Sequence, residues 1–453
     1  DFTPESVESL VNHSDSMALL TNADKWSKLD ITKMPEVKVV MDVDNLKILY
    51  CSKPEIEDLW NDIDNLLAGK YPDGFGPEDV VYPTDNMDDL AVINYTSGST
   101  GNPKGVMLTY RNFSATIEFS QVHRPTSDKN RMISMLPMAH MYGLVTEFIY
   151  PLCNGTSIYW LGKTPTPSTL MKAFQEVRPY QLITVPLVME KIFKSKVKPV
   201  LDKPMIKILT RIPGINTIIF KKIHDGLINA FGGEVGEFIL GGAPVNPEIE
   251  KWFKKIKLPY TVGYGMTEAG CRISVPDNTA SRESVGRVTD VCTVRIQNGE
   301  IQVNTPTVML GYYKMPKETK EMFTEDGWLK TGDIGELTED NQLFITGRVK
   351  NLIILSNGEN VSPEAIEKKF ADNQLVSEVL VYGEKNRIIA EIYPDYEYAK
   401  LEGIDDIQGE LEKTVDRMNK TAKAAHIISE VRVRTEPLEK TGSGKIKRKA
   451  TVL

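Results

Sequence analysis

Apolar and polar positions follow one rhythm up to about residue 350 and another beyond it, and the change divides the chain. In the first part, short runs rich in β-branched and aromatic residues are separated by stretches with helical spacing. Ala91 to Tyr95, Met132 to Leu136, Thr156 to Leu161, Leu182 to Val185 and Phe238 to Leu240 read as strands of a buried sheet. Phe113 to Val122, Pro167 to Val177 and Pro247 to Ile256 read as helices between them, with Asn246 placed to cap the last and Pro247 at its first position. Strands alternating with helices predict layered α/β architecture. Val291 to Asn304 and Asn341 to Thr346 then carry short, polar-punctuated strands, as a small β-barrel or a hairpin sheet would. After Arg348 the order becomes strand, helix (Pro363 to Phe370), two strands (Val376 to Tyr382, Ile388 to Tyr393), helix and strand, a small α+β domain.

A chain of 453 residues can bury a large core and is expected to contain more than one domain. Its 26% charged and 41% hydrophobic residues are those of a soluble globular enzyme. The net charge of -8 argues against nucleic acid as the main partner. Cys51, Cys153, Cys271 and Cys292 are scattered, which excludes a disulfide frame or a zinc site and suits a reducing compartment. No apolar run reaches the ~18 residues of a membrane span. A cytoplasmic protein is expected.

Residues 95 to 106, Tyr-Thr-Ser-Gly-Ser-Thr-Gly-Asn-Pro-Lys-Gly-Val, carry the most specific chemistry. Glycines at 98, 101 and 105 leave backbone amides free to turn toward an anion. Thr96, Ser97, Ser99 and Thr100 add hydroxyl donors, and Lys104 adds a mobile cation. Such a loop holds phosphate oxygens, although it is not a G-x-x-x-x-G-K-[ST] loop. Its order and its Pro-Lys-Gly ending resemble the phosphate loop of the adenylate-forming superfamily, which includes acyl-CoA synthetases, luciferases and peptide-synthetase adenylation domains.

The resemblance continues in order to the end of the chain. Leu136-Pro-Met-Ala-His-Met-Tyr-Gly143 is similar to the family's segment beside the carboxylate pocket. Gly241-Gly-Ala-Pro244 is similar to its adenine-side loop, Gly263-Tyr-Gly-Met-Thr-Glu268 to its Y-G-x-T-E motif, and Lys330-Thr-Gly-Asp333 to its ribose motif. Gly347 to Lys350 and Gly358 to Glu367 resemble the hinge and the start of the small domain, and Lys440 to Arg448 the catalytic-lysine motif. Read alone, Asp333 is a turn acid, Tyr264 core packing, Glu268 a solvated charge, and 440–449 a basic face or nucleic-acid patch. The shared order is what assigns them otherwise. Three departures stand out. The chain starts at Asp1, so a first segment of the family's large domain is expected to be missing. Asn351 replaces a frequent acid, and Pro437-Leu-Glu-Lys-Thr441 replaces the usual lead-in.

The resemblance implies an α/β large domain over 1–348 with layered subdomains and a small β-barrel, a hinge at 349–350, and a mobile α+β lid over 351–453. It implies ATP-dependent conversion of a carboxylic acid to acyl-AMP with Mg²⁺, then thioester formation on coenzyme A. An acyl-AMP ligase loading a carrier-protein pantetheine is the alternative, and a non-catalytic nucleotide- or nucleic-acid-binding protein a remote one. Thr96, Ser97, Gly98, Ser99, Thr100, Gly101 and Lys104 would cradle the β- and γ-phosphates. Thr267 would contact the α-phosphate, Glu268 the metal, and Lys445 both reacting groups. Gly242, Ala243 and Pro244 would flank adenine opposite Tyr264 and Gly265; Asp333 and Arg348 would hold the ribose. His140, Gly143 and Leu144 would border the acyl pocket, with His140 either a gate or a satisfied buried histidine. Lys350 would be the hinge and Gly358 would line the coenzyme A channel.

Amino-acid-activating relatives carry a Phe-Asp pair near this pocket, whereas 140–146 here contains no acid before Glu147. An unpaired ammonium would be costly there. A medium- or long-chain fatty acid is therefore expected, its tail against Leu144, Val145, Phe148, Val185 and Leu187. Residues 191–222 form a lysine-rich island interleaved with isoleucines. It reads as a peripheral membrane contact or as a solvated helical hairpin, with Pro199, Pro204 and Pro213 breaking any long helix. Oligomeric state is not encoded in any of these signals.

Overall fold

The computed structural model describes residues 3–81, 86–96, 103–162, 166–274, 277, 279–288, 291–356, 359–371, 373–422, 424–440 and 446–448. The chain falls into two compact units, Asp1–Tyr110 with Leu310–Met315, and Arg111–Met309 with Pro316–Leu453.

In the first unit, Thr3 caps helix Pro4–His13, accepting from the Ser6 amide with proline at the helix start. Strands Ala18–Thr21, Val39–Asp42 and Ile48–Cys51 form a small sheet over Met34, Val37 and Val40. A second sheet joins Leu90–Thr96 antiparallel to Lys104–Thr109, with Gly311–Tyr312 on the far side of the latter. This corrects the expectation that Ala91 to Tyr95 belongs to the buried sheet of the other four strands. A short apolar run signals a strand but not its partner. Here the partner is Lys104–Thr109, whose Lys-Gly start reads as loop.

The second unit holds a five-stranded parallel sheet in the order Tyr260–Val262, Glu237–Leu240, Gln181–Thr184, Arg131–Ser134, Ser157–Trp160. Phe174, Phe231, Phe238 and Phe253 pack with its inner strands. Ser157–Trp160 is an edge, which leaves Tyr159 and Trp160 exposed rather than buried as expected. Helices Pro167–Val177 and Pro247–Lys255 lie where periodicity puts them. Asn246 accepts from the amides of Glu248 (3.0 Å) and Ile249 (3.2 Å), the anticipated cap.

A hairpin-type antiparallel sheet follows, ordered Ser284–Arg287, Gln342–Arg348, Leu329–Leu337, Glu300–Asn304, Thr293–Gln297. Its two end strands are not paired with each other among the described residues. Register shifts mark three of its pairings, the places where added residues bend strands. Beyond it, Val376–Glu384, Arg387–Pro394 and Ile428–Val433 form a three-stranded sheet. They share a core of Ile353, Val361, Ile366, Phe370 and Leu411 with helices Pro363–Glu367 and Ile407–Asn419.

Candidate active site

Four segments singled out in the sequence leave the carboxyl ends of adjacent parallel strands. Leu136–Gly143 follows Arg131–Ser134, Val185 follows Gln181–Thr184, Gly241–Pro244 follows Glu237–Leu240, and Gly263–Glu268 follows Tyr260–Val262. Open parallel sheets bind ligands along this edge, because the loops there converge and one strand neighbours crossovers on both sides. Gly241 is forced by crowding: a Cβ would lie 2.8 Å from the Tyr142 ring. Gly242 is forced by conformation, with φ of 80°, and its open side faces Val185 at 3.9 Å. Ala243 and Pro244 are exposed beside it. At Gly265 a Cβ would stand 2.0 Å from the Cys271 carbonyl, so only glycine fits.

The Thr267–Ala269 turn is held from behind. Thr307 Oγ1 donates to the Ala269 carbonyl (2.9 Å), and Thr116 Oγ1 donates to those of Asn112 (2.9 Å) and Gly270 (3.4 Å). Asn112 Nδ2 donates to the carbonyls of Pro306 and Val308. These buried pins carry no sequence signal beyond being polar residues in apolar surroundings.

Tyr264 meets the ribose motif across 69 residues. Its hydroxyl donates to Asp333 Oδ2 at 2.6 Å, and Arg348 Nε lies 2.8 Å from Asp333 Oδ1. Asp333 is 3% exposed and pairs in register with Arg348 across strands Leu329–Leu337 and Gln342–Arg348. Thr331-Gly-Asp333 is therefore strand and not turn. Its in-register partner strand supplies the backbone ladder that overrides the local turn preference of Gly-Asp. Burial, and next the adjoining carboxylate, push the Tyr264 phenol well above the ordinary tyrosine value, so it stays a donor. A carboxylate has about four acceptor sites, so Asp333 can still accept from ligand hydroxyls.

In the first unit Thr96 and Lys104 pair across the ends of the glycine-rich loop, and the Lys104 ammonium lies 4.7 Å from the Tyr312 ring centre. Gly105 is a strand residue, where a Cβ would stand 3.2 Å from the Tyr95 ring. Ser97, Gly98, Ser99, Thr100, Gly101, Gly358 and Lys445 lie outside the described residues.

His140 is exposed, which overturns the satisfied buried histidine: it precedes the Met141–Gly143 turn and makes no side-chain cap. Gly143 is buried, with room for no Cβ beside the Pro137 carbonyl (2.8 Å); Leu144 is half-buried. Leu187 is exposed and Val145 buried. Lys350 is exposed in the short turn Val349–Asn351, and Asn351 donates to Glu364 (2.5 Å). The described cations of the basic tail are each paired with a carboxylate. Arg448 grips Glu367 with two bonds (2.9 and 2.7 Å), Lys440 pairs with Glu378, and Lys447 lies 3.4 Å from Glu439.

Two charged side chains were not anticipated as parts of the interior. Arg272 lies over the Phe119 ring (4.7 Å) with Nη1 buried and unbonded among the described residues, and burial lowers its pKa to about 10. Glu147 is 0% exposed, and its Oε2 accepts from Ser134 Oγ (3.2 Å) and the amides of Met135 (2.9 Å) and Leu136 (2.8 Å). It thus anchors the start of the Leu136–Gly143 segment. A lone acid within an apolar helical run, Leu-Val-Thr-Glu-Phe-Ile, was the available signal. Burial raises its carboxyl from 4.5 to about 7. With the folded value raised, stability is full below the unfolded pKa and falls as pH climbs from about 4.5 to about 7. Glu147→Gln should lack this decline, so its stability relative to the parent should rise by up to roughly 3 kcal/mol across that window. Urea unfolding on both sides of the window tests this; parallel pH profiles would remove Glu147 as the source.

A model of AMP-binding enzymes matches residues 1–313, and one of the AMP-binding enzyme C-terminal domain matches 350–453. The long-chain-fatty-acid–CoA ligase 5 of Rattus norvegicus is 32% identical over 348 residues, 69% of this chain and 50% of the relative. The long-chain-fatty-acid–CoA ligase 1 of Saccharomyces cerevisiae is 31% identical over 338 residues, 66% of this chain and 47% of the relative. The chain thus spans about half the length of these curated relatives. Among solved structures, o-succinylbenzoate CoA synthetase from Bacillus subtilis, in complex with its acyl-adenylate intermediate, shares the fold. It has a TM-score of 0.70 and 20% identity over 98% of this chain and 80% of that one. By fold, by the order of its motifs and by the match over both parts, this chain belongs to the AMP-binding enzyme family.

Proposed function

We propose that this chain activates a carboxylic acid, a medium- or long-chain fatty acid, to acyl-AMP with release of pyrophosphate, and then passes the acyl group to coenzyme A. The Tyr264–Asp333–Arg348 corner carries the reading: it offers a ring, a buried carboxylate for ribose hydroxyls and a half-exposed cation paired with it. Two anions must meet in the first step, so the protein's work is to position and neutralise them. Thr96 and Lys104, with the loop they close, would hold the β- and γ-phosphates, and Thr267 the α-phosphate. Glu268 would help hold Mg²⁺, which needs only one or two carboxylates besides phosphate oxygens and supplies charge neutralisation there. Lys445 would bridge the carboxylate and the phosphate. For the second step, 351–453 would turn as a lid on 1–348 about 349–350, Lys350 absorbing the rotation and Gly358 letting the thiol arm pass.

A plain acid is favoured over an amino acid because 140–146 contains no acid and Glu147 Oε2 is engaged by the 134–136 segment, while half-buried Leu144 and Phe148 offer apolar surface. Val185 lies beside Gly242. The protein would work in the cytoplasm, reaching a bilayer surface through 191–222. No described helix is long and apolar enough to cross a membrane.

Pyrophosphate release across a panel of acids, with and without coenzyme A, tests this. Each buried methylene adds up to ~0.8 kcal/mol, so kcat/KM should climb steeply from acetate to about octanoate and then level. An α-amino acid or acetate outperforming every longer acid would overturn the fatty-acid assignment. Thioester formation on a carrier pantetheine but not on coenzyme A would transfer the chain to the carrier-loading class.

A further inference from the structure

Residues 191–222 differ from the rest of the molecule in two respects at once. They carry nine cationic side chains and one acid, Asp202, in a chain of net charge -8. All nine cations are exposed. Of these, Lys207 (3.3 Å from Asp202) and Lys221 (2.6 Å from Asp225) are the ones with an ion pair among the described residues. The segment also turns large aliphatic side chains both ways. Helix Pro204–Leu209 and helix Ile215–Ala230 are joined through Gly214, whose φ is 83°. Ile206, Phe220 and Ile223 face inward onto the core. Met205, Ile208, Ile212, Ile215 and Ile218 remain outside, 71%, 63%, 39%, 38% and 59% exposed. Positions 205 and 208, and again 215 and 218, are three apart and so share a helix face.

An aliphatic strip among cations fits a lipid surface better than a protein one. Protein interfaces favour arginine and aromatic anchors and are depleted in lysine. Eight of these nine cations are lysines and the exposed strip holds no aromatic residue. A lysine's long stem can lie along acyl chains while its ammonium stays at the headgroups. We propose that the helix pair spanning 204–222 docks on an anionic lipid surface. Met205, Ile208, Ile212, Ile215 and Ile218 enter the headgroup–acyl boundary, and Lys203, Lys207, Arg211, Lys221 and Lys222 lie at the level of the phosphates. This rests on the bilayer contact named in the preceding reading, and not on the acid-activating chemistry.

Flotation with vesicles tests it. The protein should float with phosphatidylcholine vesicles containing about one-third phosphatidylglycerol, and the bound fraction should fall at least ~10-fold with pure phosphatidylcholine or in ~0.5 M salt. Ile208→Asp with Ile218→Asp should lose binding to a similar degree while keeping the parent's melting temperature. Serine at both positions serves as the second variant should aspartate unfold the chain. Parent protein that ignores anionic vesicles, binds neutral ones equally, or floats no better than the double variant overturns the proposal. Self-association in solution that the double variant abolishes also overturns it, since the strip would then belong to a second copy. Activation of a water-soluble acid is measured alongside. Flotation without any such activity would leave the docking standing and remove the activity reading instead.

Discussion

Asp333→Ala should raise the KM for ATP about 100-fold or more in the pyrophosphate assay, a loss of roughly 3 kcal/mol. The carboxylate is almost wholly buried and joins two donors, Tyr264 at 2.6 Å and Arg348 at 2.8 Å. Removing it takes away the proposed ribose contact and leaves the Tyr264 hydroxyl, in its buried setting, without this acceptor. Arg348 is half-exposed and can turn to water, so its share of the loss is small. Because the ribose is remote from the reacting phosphorus, the effect should fall on KM more than on kcat. Asp333→Asn keeps the shape and an acceptor for Tyr264, and should fall between. An unchanged KM with a lowered melting temperature would make Asp333 a structural residue alone.

Lys445→Ala should separate the two half-reactions. Acid-dependent pyrophosphate release should drop more than ~100-fold, since a cation aimed at growing negative charge is worth a few kcal/mol. Thioester formation from supplied acyl-AMP should persist, because that step expels AMP and involves no pyrophosphate. The measurement is a paired assay on one preparation. Equal loss in both steps would assign Lys445 to the fold or to both reactions.

The Gly-Tyr-Gly-Met-Thr-Glu and Thr-Gly-Asp motifs and the cap at Asn246 were legible because each depends on residues close in sequence. The error at Ala91–Tyr95 was one of partner choice: the run was a strand as expected, but it pairs with Lys104–Thr109, which in turn pairs with the distant Gly311–Tyr312. Gly105, read as a loop glycine, proved to be a strand glycine that makes room for Ile93 and the Tyr95 ring. Glu147 read as an acid just beyond the pocket. Only the folded chain turns it inward onto the Ser134–Leu136 segment, and only burial in that position raises its pKa.

The sequence by itself determined helices such as Pro167–Val177 and Pro247–Lys255, four strands of the parallel sheet, the order of the motifs and the expectation of a nucleotide-handling enzyme. Local periodicity, caps and turn residues act over a few positions, and motif order survives without knowledge of distance. Tertiary structure alone decided that Tyr264 and Arg348 meet at the buried Asp333 carboxylate and that Ile208, Ile212, Ile215 and Ile218 of the lysine-rich segment stay outside. Those outcomes depend on which surfaces a strand or helix finds to pack against. That choice is made by contacts between residues far apart in the chain, whose energies no local pattern contains.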